Sequence, residues 1–243
     1  MTKNSESLSF AAVIRGAVAL RRTLKRLADG IVKAGHEVQL VTTNEWPEDE
    51  WPFGSIKRLG GTTVIGFADE LEQVRPQLQC DVLFSLERVW SCDVYRAGDG
   101  VHRAWLARRR KFEVPLKQFV RGASRKHRDL LQLEESLFEK RKAGRVIAAS
   151  QMVVNEITDL YRYPADKIDV VRNGVPLDKF RFDPGLREKS RAELKLKQDQ
   201  IALLFAGSGL GAQRLAVCNR SDGALQKSKN AAAGRRPGRR RAV

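Results

Sequence analysis

The chain has 243 residues, enough for one or two domains with a sizeable hydrophobic core. Its formal net charge is +16, and residues 219–243, with eight Lys or Arg against one Asp, contribute +7 of it. This charge favours anionic partners such as phosphates, nucleic acid or an acidic membrane surface, although solubility alone would also explain it. Three widely spaced cysteines argue against a disulfide framework, and no apolar run has transmembrane length, so the composition indicates a cytoplasmic globular protein.

Apolar runs alternate with helical patterns through the first half of the chain. Leu24, Leu27 and Ile31 fall on one face of a predicted helix, which ends at Gly35 and leads into a buried strand over residues 37–43. Further strands are predicted where the sequence reads TTVIGF, CDVLFSL and CDVYRAG, at residues 62–67, 80–86 and 92–98. None of them alternates strictly between apolar and polar residues, which indicates a parallel sheet covered by helices on both faces.

The second half of the chain continues the same alternation. A long charged helix is predicted over residues 116–142. After it come a strand, a helix, a strand and a polar helix, where the sequence reads GRVIAAS, QMVVNEITDLYR, KIDVVRNGV and GLREKSRAELKLK. This order predicts an α/β fold, a Rossmann-like doubly wound parallel sheet.

The turn that follows the CDVYRAG strand carries candidate chemistry. It places Asp99 and His102 at the carboxyl edge of the sheet, where open α/β sheets bind ligands. Gly98 and Gly100 would let the backbone approach a ligand closely. The two side chains are suited to acid–base or hydroxyl-orienting work. The structural alternative is an aspartate that caps a helix beside an incidental exposed histidine.

Two stretches resemble a known family. The sequence ADKIDVVRNGVPLDKF, at residues 165–180, resembles the end of the N-terminal domain in family 4 glycosyltransferases of the GT-B fold. Its turn at Asn173, followed by Asp178 and Phe180, is characteristic of them. The sequence ERVWSCDVYRAGDGVHRAWL, at residues 87–106, resembles a subgroup related to lipopolysaccharide-core and other cell-envelope sugar transferases.

The resemblance covers about residues 22–209. It implies one half of a two-domain, metal-independent transferase that has no cofactor and retains anomeric configuration. In such enzymes the N-terminal domain binds the acceptor, and the C-terminal domain binds a nucleotide sugar as co-substrate. The implied partner is a glycan or lipid-linked acceptor, and the implied location is the cytoplasm or the periphery of the inner membrane. The charged helix and the basic residues 108–111 would fit an anionic lipid face, or simply a solvated helix face.

The resemblance also assigns roles to individual residues. On the family pattern Asp99 and His102 face the cleft as acceptor-side or catalytic residues, and no metal ligand is expected. Further substrate contacts are expected from side chains at the same edge, namely Glu87, Arg88, Arg96, Ser150 and Asn173. The last two of these also fit structural roles, capping a helix and shaping a turn.

Both ends of the chain depart from the family pattern. Residues 1–21 lack the expected Gly-Gly loop. Residues 210–243 lack two motifs that the family would place after FAGSG, namely a basic residue with a glycine near the diphosphate and, farther on, a pair of glutamates. We therefore expect an aberrant segment over 1–21, an acceptor domain over 22–200, the first strand of a truncated donor domain over 201–209, and a basic disordered tail. Codons can be chosen for residues 210–219 that, read one nucleotide later, encode a family-like continuation, and we therefore expect a frameshift just after Gly209.

Three functional hypotheses follow. The first is a glycosyltransferase by descent that is inactive as this chain, because a cleft with one wall cannot position a donor. The second is a nucleic-acid-binding protein acting through its basic tail, although the aromatic interleaving and recognition helix typical of such proteins are missing, so nucleic acid is not the expected partner. The third is a half-subunit completed by a separate donor-domain chain.

Overall fold

The computed structural model describes residues 7–15, 18–111, 124–178 and 180–202, without the side chains of residues 18, 19 and 48. The chain divides into two units, Met1–Gly174 and Val175–Val243. The predicted tail over 210–243 and most of the predicted strand over 201–209 lie outside the described residues.

The first unit alternates strands and helices. Its strands are β1 (Ser9–Val13), β2 (Glu37–Thr43), β3 (Ile56–Leu59), β4 (Val82–Ser85), β5 (Cys92–Ala97), β6 (Ala143–Ala148) and β7 (Ile168–Val170). Its helices are α1 (Val18–Lys33), α2 (Val64–Val74), α3 (His102–Arg110), α4 (Arg125–Glu134), which continues into a π-helical turn (Glu135–Glu139), and α5 (Gln151–Tyr161). Short 3₁₀ turns cover Glu48–Glu50, Arg75–Gln77 and Ala165–Lys167.

The strands form one seven-stranded sheet in the order β3-β2-β1-β4-β5-β6-β7. Every neighbouring pair is parallel. The chain builds outward from β1 to β3 on one side, then returns to place β4 on the other side of β1. This order confirms the predicted Rossmann-like doubly wound fold.

Helices cover both faces of the sheet, as its apolar strands require. In β1 and the residue after it, Ala11 and Val13 belong to one buried cluster, and Ala12 and Ile14 belong to the other. The first cluster also contains buried side chains of α2, of the π-helical turn and of α5, whereas the second contains those of α1. Alternate strand residues therefore face two separate cores, which explains why these strands read as continuous apolar runs.

One predicted strand is wrong. TTVIGF begins α2: Thr63 is its N-cap, and the Thr63 hydroxyl accepts a hydrogen bond of 2.9 Å from the Gly66 N–H. Phe67 and Leu71 lie one helical turn apart and are buried on the same face. The cap and this spacing outweigh the β-propensity of Thr, Val and Ile. The strand that the prediction missed is β3, where the sequence reads IKRL.

The remaining predicted elements agree with the structure where it describes them. The predicted strand over 37–43 is β2. The helix predicted over 116–142 corresponds to α4 and the π-helical turn, and residues 116–123 lie outside the described part. Segment 1–21, which was expected to be aberrant, supplies β1, which pairs with β2 and β4 near the centre of the sheet.

The second unit contains α6 (Pro184–Glu193). Asp183 caps this helix by accepting a hydrogen bond of 2.9 Å from the Leu186 N–H, and Pro184 begins it. No helix in the described residues is long and apolar enough to cross a membrane.

The turn before α2 gives a stability test. Gly61→Ala should lower the free energy of unfolding by about 1–3 kcal/mol. An added Cβ would lie 2.6 Å from the Gly66 carbonyl carbon and from the Phe67 Cα, both of them backbone atoms that cannot rotate away. The matched control is Gly30→Ala within α1, where a Cβ meets nothing within 4 Å. Alanine there should stabilise by about 0.5–1 kcal/mol. Urea denaturation measures both variants, and a Gly61→Ala protein as stable as the parent would contradict this packing.

Candidate functional site at the carboxyl edge of the sheet

One part of the candidate site lies where the strand order reverses, between β1 and β4. These strands pair in parallel with Val13 opposite Ser85, so the segments that leave their carboxyl ends emerge side by side. The Arg15 N–H donates a hydrogen bond of 3.3 Å to the Glu87 carboxylate across this gap. A crevice at such a reversal is the usual ligand site of an open α/β sheet.

Glu87 is held close to β4 by local hydrogen bonds. The Ser85 hydroxyl donates to the Glu87 carbonyl at 2.7 Å and accepts from the Glu87 N–H at 3.2 Å. Burial raises the pKa of the Glu87 carboxyl, and the hydrogen bond from Arg15 opposes that rise only in part. The negative charge of Asp99 makes a smaller contribution to the raised pKa of Glu87.

Asp99 is exposed in the turn between β5 and α3. Gly100, the next residue, has φ +73, a left-handed conformation that favours glycine. The N-cap of α3 is Val101 rather than Asp99, so the structural alternative of a capping aspartate is wrong. The Asp99 carboxylate therefore lies on the surface of the edge, next to the start of α3.

His102 is the first residue of α3 and is only partly exposed, so it is not an incidental surface histidine. Its Nε2 lies 3.1 Å from His127 Nδ1, and its ring stacks on Trp105 with the centroids 5.4 Å apart. Burial, with the Arg88 guanidinium nearby, lowers the pKa of His102 to about 4. At neutral pH the ring is therefore uncharged and is suited to hydrogen-bonding a hydroxyl group.

Glu134 is a residue of the site region that the sequence prediction missed. It ends α4, its side chain is fully buried, and its carboxylate accepts hydrogen bonds from the N–H groups of His102 and Arg103 at the start of α3. Two more come from Arg88 Nε at 3.0 Å and from the Tyr161 hydroxyl at 2.9 Å. The sequence signal that could have identified Glu134 is its position between the apolar residues Leu133 and Leu137 of a helix, where an acidic residue is unusual.

The other predicted contact residues occupy different positions along the edge. Arg88 makes internal contacts, since its Nη2 donates a hydrogen bond of 3.0 Å to the Gly100 carbonyl while Nε binds Glu134. Arg96, on β5, donates a hydrogen bond to the Asn173 side chain beyond β7. Ser150 is the N-cap of α5, but its hydroxyl makes no capping hydrogen bond.

Comparison with known proteins identifies the family. Residues 20–179 match the model of Glycosyltransferase Family 4, and this range includes all seven predicted site residues. The chain belongs to glycosyltransferase family 4. The resemblance seen in the sequence is thereby confirmed.

Relatives of the family 4 chain include one curated enzyme and two solved structures. Over 67 residues, 28% of the chain and 15% of the relative, it is 43% identical to a D-inositol 3-phosphate glycosyltransferase of Streptomyces scabiei. Its fold is similar to the crystal structure of WaaG, a glycosyltransferase involved in lipopolysaccharide biosynthesis, with a TM-score of 0.65 and 16% identity over 87% of the chain and 58% of WaaG. A glycosyltransferase structure from Rickettsia africae aligns with a TM-score of 0.49 and 15% identity over 80% of the chain and 51% of that structure.

The chain spans 58% or less of the length of each of these relatives. Within its described residues, no group of three or more His, Cys, Asp or Glu side chains is placed to hold a metal ion.

The environment of His102 predicts an acid-sensitive contribution to stability. The folded pKa of about 4 lies below the ordinary value of 6.5, so on acidification the unfolded chain takes up this proton first. The contribution of neutral His102 is complete above pH 6.5 and is lost as the pH falls toward 4. NMR titration should give the His102 ring a midpoint near pH 4, and the signal is assigned by its loss in His102→Gln. The same variant should show a smaller change in the free energy of unfolding between pH 6.5 and pH 4. A midpoint near 6.5 would contradict the buried, stacked geometry.

Proposed function

We propose that the unit Met1–Gly174 is the acceptor-binding half of a retaining glycosyltransferase. The acceptor is a glycan or lipid-linked saccharide of the cell envelope, and the sugar comes from a nucleotide-sugar co-substrate. The observation that carries this proposal is the carboxyl edge of the sheet, where the segment after β4 holds Glu87 beside Arg15 and contacts the turn between Asp99 and His102 through the hydrogen bond from Arg88 to the Gly100 carbonyl. Family 4 membership supports sugar transfer, and the likeness to WaaG supports the envelope as the source of the acceptor.

The side chains at this edge suit the recognition of sugar hydroxyl groups. Asp99 is exposed and accepts hydrogen bonds, and neutral His102 can donate or accept one. Glu87, with its raised pKa, can hold a proton more readily than an ordinary carboxylate. We assign Asp99 and His102 to orienting the acceptor hydroxyl, with Glu87 and the Arg96–Asn173 pair as further contacts.

Sugar transfer also needs a group of residues that holds the nucleotide sugar. In the family this is the task of a second domain, which positions the donor and stabilises the leaving group. We therefore propose that the acceptor unit alone binds acceptor without turnover, and that a donor-binding domain, in the same or a separate chain, restores transfer.

We further propose that the basic end of α3 rests on anionic lipid at the inner face of the membrane. Three arginines, Arg108, Arg109 and Arg110, form its last turn, and Lys111 follows. Arg108 pairs with Glu156, and Arg109 lies over the Trp105 ring at 4.8 Å, so this turn combines positive charge with an aromatic surface.

The nucleic-acid hypothesis rests on residues 210–243, which lie outside both the family match and the described residues.

Acceptor binding is the direct test. The full chain should bind saccharides of the lipopolysaccharide core in calorimetry. Asp99→Asn and His102→Gln should each weaken binding about tenfold or more, because the first replaces an ionised hydrogen-bond acceptor with a neutral amide and the second replaces the positioned imidazole with a flexible amide. The matched control is Asp159→Asn, the same charge change on an exposed position of α5. An affinity that is unchanged in both edge variants would contradict the assignment of the site. A parent chain that binds no core saccharide would contradict the proposed acceptor class. Nucleic-acid binding that disappears when residues 210–243 are deleted would favour the alternative function.

A further inference from the structure

The Glu134 carboxylate accepts hydrogen bonds from four donors in three parts of the chain. One carboxylate oxygen accepts from Arg88 Nε at 3.0 Å and from the His102 N–H. The other accepts from the Arg103 N–H at 3.1 Å and from the Tyr161 hydroxyl at 2.9 Å. The side chain is 0% exposed, so these four donors replace the water that an ionised carboxylate would otherwise bind.

The environment of this carboxylate compensates its charge. Arg88, with its side chain 12% exposed, forms an ion pair with Glu134, and the amino end of α3 points its free N–H groups at the same carboxylate. Burial and the neighbouring Glu134 carboxylate raise the pKa of Tyr161, which keeps its hydroxyl protonated and donating. Each oxygen of the Glu134 carboxylate therefore accepts two hydrogen bonds within the protein.

Helix α3 depends on this carboxylate for its cap. Its N-cap residue is Val101, whose side chain has no acceptor for the orphan N–H groups of the first turn. Glu134 accepts from two of those groups, although it lies 32 residues away from His102 in the chain. The cap of α3 is thus supplied by the end of α4.

The same network fixes the turn before the helix. Arg88, held by Glu134 through Nε, uses its Nη2 to bind the Gly100 carbonyl at 3.0 Å. The backbone is therefore held on both sides of Val101, at the carbonyl before it and at the His102 N–H after it. Asp99 and His102 flank this held segment.

We propose that Glu134 is a positioning residue of the acceptor site: from its buried place at the end of α4 it sets the backbone that presents Asp99 and His102 to the acceptor. This assignment rests on the acceptor function proposed above. Because Glu134 is fully buried, it acts through these two residues and does not touch the acceptor.

The test compares three variants of the full chain. Glu134→Gln keeps the shape but places an amide NH₂ group where the carboxylate accepted hydrogen bonds. Glu135→Gln is the matched control, because it makes the same change at the next residue, whose carboxylate pairs with Lys140 at 3.5 Å. Tyr161→Phe removes one donor from the network and leaves the two amides of α3 in place.

Two readouts separate positioning from general stability. Amide hydrogen exchange at His102 and Arg103 needs no acceptor, and Glu134→Gln should speed it at least tenfold relative to amides in the middle of α4. Affinity for the core saccharide that the parent binds should fall about tenfold in the same variant. In Glu135→Gln and Tyr161→Phe, the exchange rates of these two amides and the affinity for the saccharide should both stay within about twofold of the parent values. If Glu134→Gln does not fold, Glu134→Asp takes its place, since a carboxylate one methylene shorter cannot reach all four donors.

The outcomes have distinct meanings. Faster exchange together with weaker binding, in the Glu134 variant alone, supports the assignment. Unchanged exchange, or faster exchange with unchanged affinity, overturns the positioning role and leaves the acceptor function standing. An affinity loss in Tyr161→Phe as large as in Glu134→Gln also overturns it, because any damage to the network would then suffice. A parent chain that binds no core saccharide overturns the acceptor function, and the positioning role fails with it.

Discussion

The pairing of β1 with strands on both of its sides is the constraint on which the rest of the structure depends. β1 is hydrogen-bonded in parallel to β2 on one side and to β4 on the other, and its alternate residues enter two different cores. The chain goes from β1 to β2 on one side and from β4 to β5 on the other, so the strand order reverses between β1 and β4, the place where open α/β sheets bind ligands at their carboxyl edge. The Arg15 N–H and the Glu87 carboxylate meet at that edge, so this part of the candidate site follows from the strand order.

Most charges near this edge are compensated within the protein. Arg88 forms an ion pair with Glu134 and binds the Gly100 carbonyl, and Arg108 forms an ion pair with Glu156. His102 is neutral because a partly buried imidazolium beside Arg88 would be unfavourable. The edge therefore presents hydrogen-bonding groups more than net charge, which suits an uncharged polyhydroxyl ligand such as a sugar.

The large positive charge of the chain is a weaker guide to function than these few side chains. Residues 219–243 contribute +7 of the net +16 and lie beyond the family match, which ends at residue 179. Charge acts over long distances and favours many anionic partners without distinguishing among them. The turn from β5 into α3 is more informative, since it joins an exposed carboxylate, a left-handed glycine and a stacked histidine within four residues.

The fold class, the family and the edge where Asp99 and His102 lie could all be predicted from the sequence. This was possible because strands such as β2 are apolar on both faces, and because short turns keep their residues together whatever the rest of the chain does. The sequence prediction misassigned TTVIGF, whose β-branched residues predict a strand while Thr63, Phe67 and Leu71 form the cap and buried face of α2. The hydrogen bonds of Glu134 are visible only in the folded protein, because contacts between the end of α4 and the start of α3 form when the two helices pack and leave no periodic pattern in the chain.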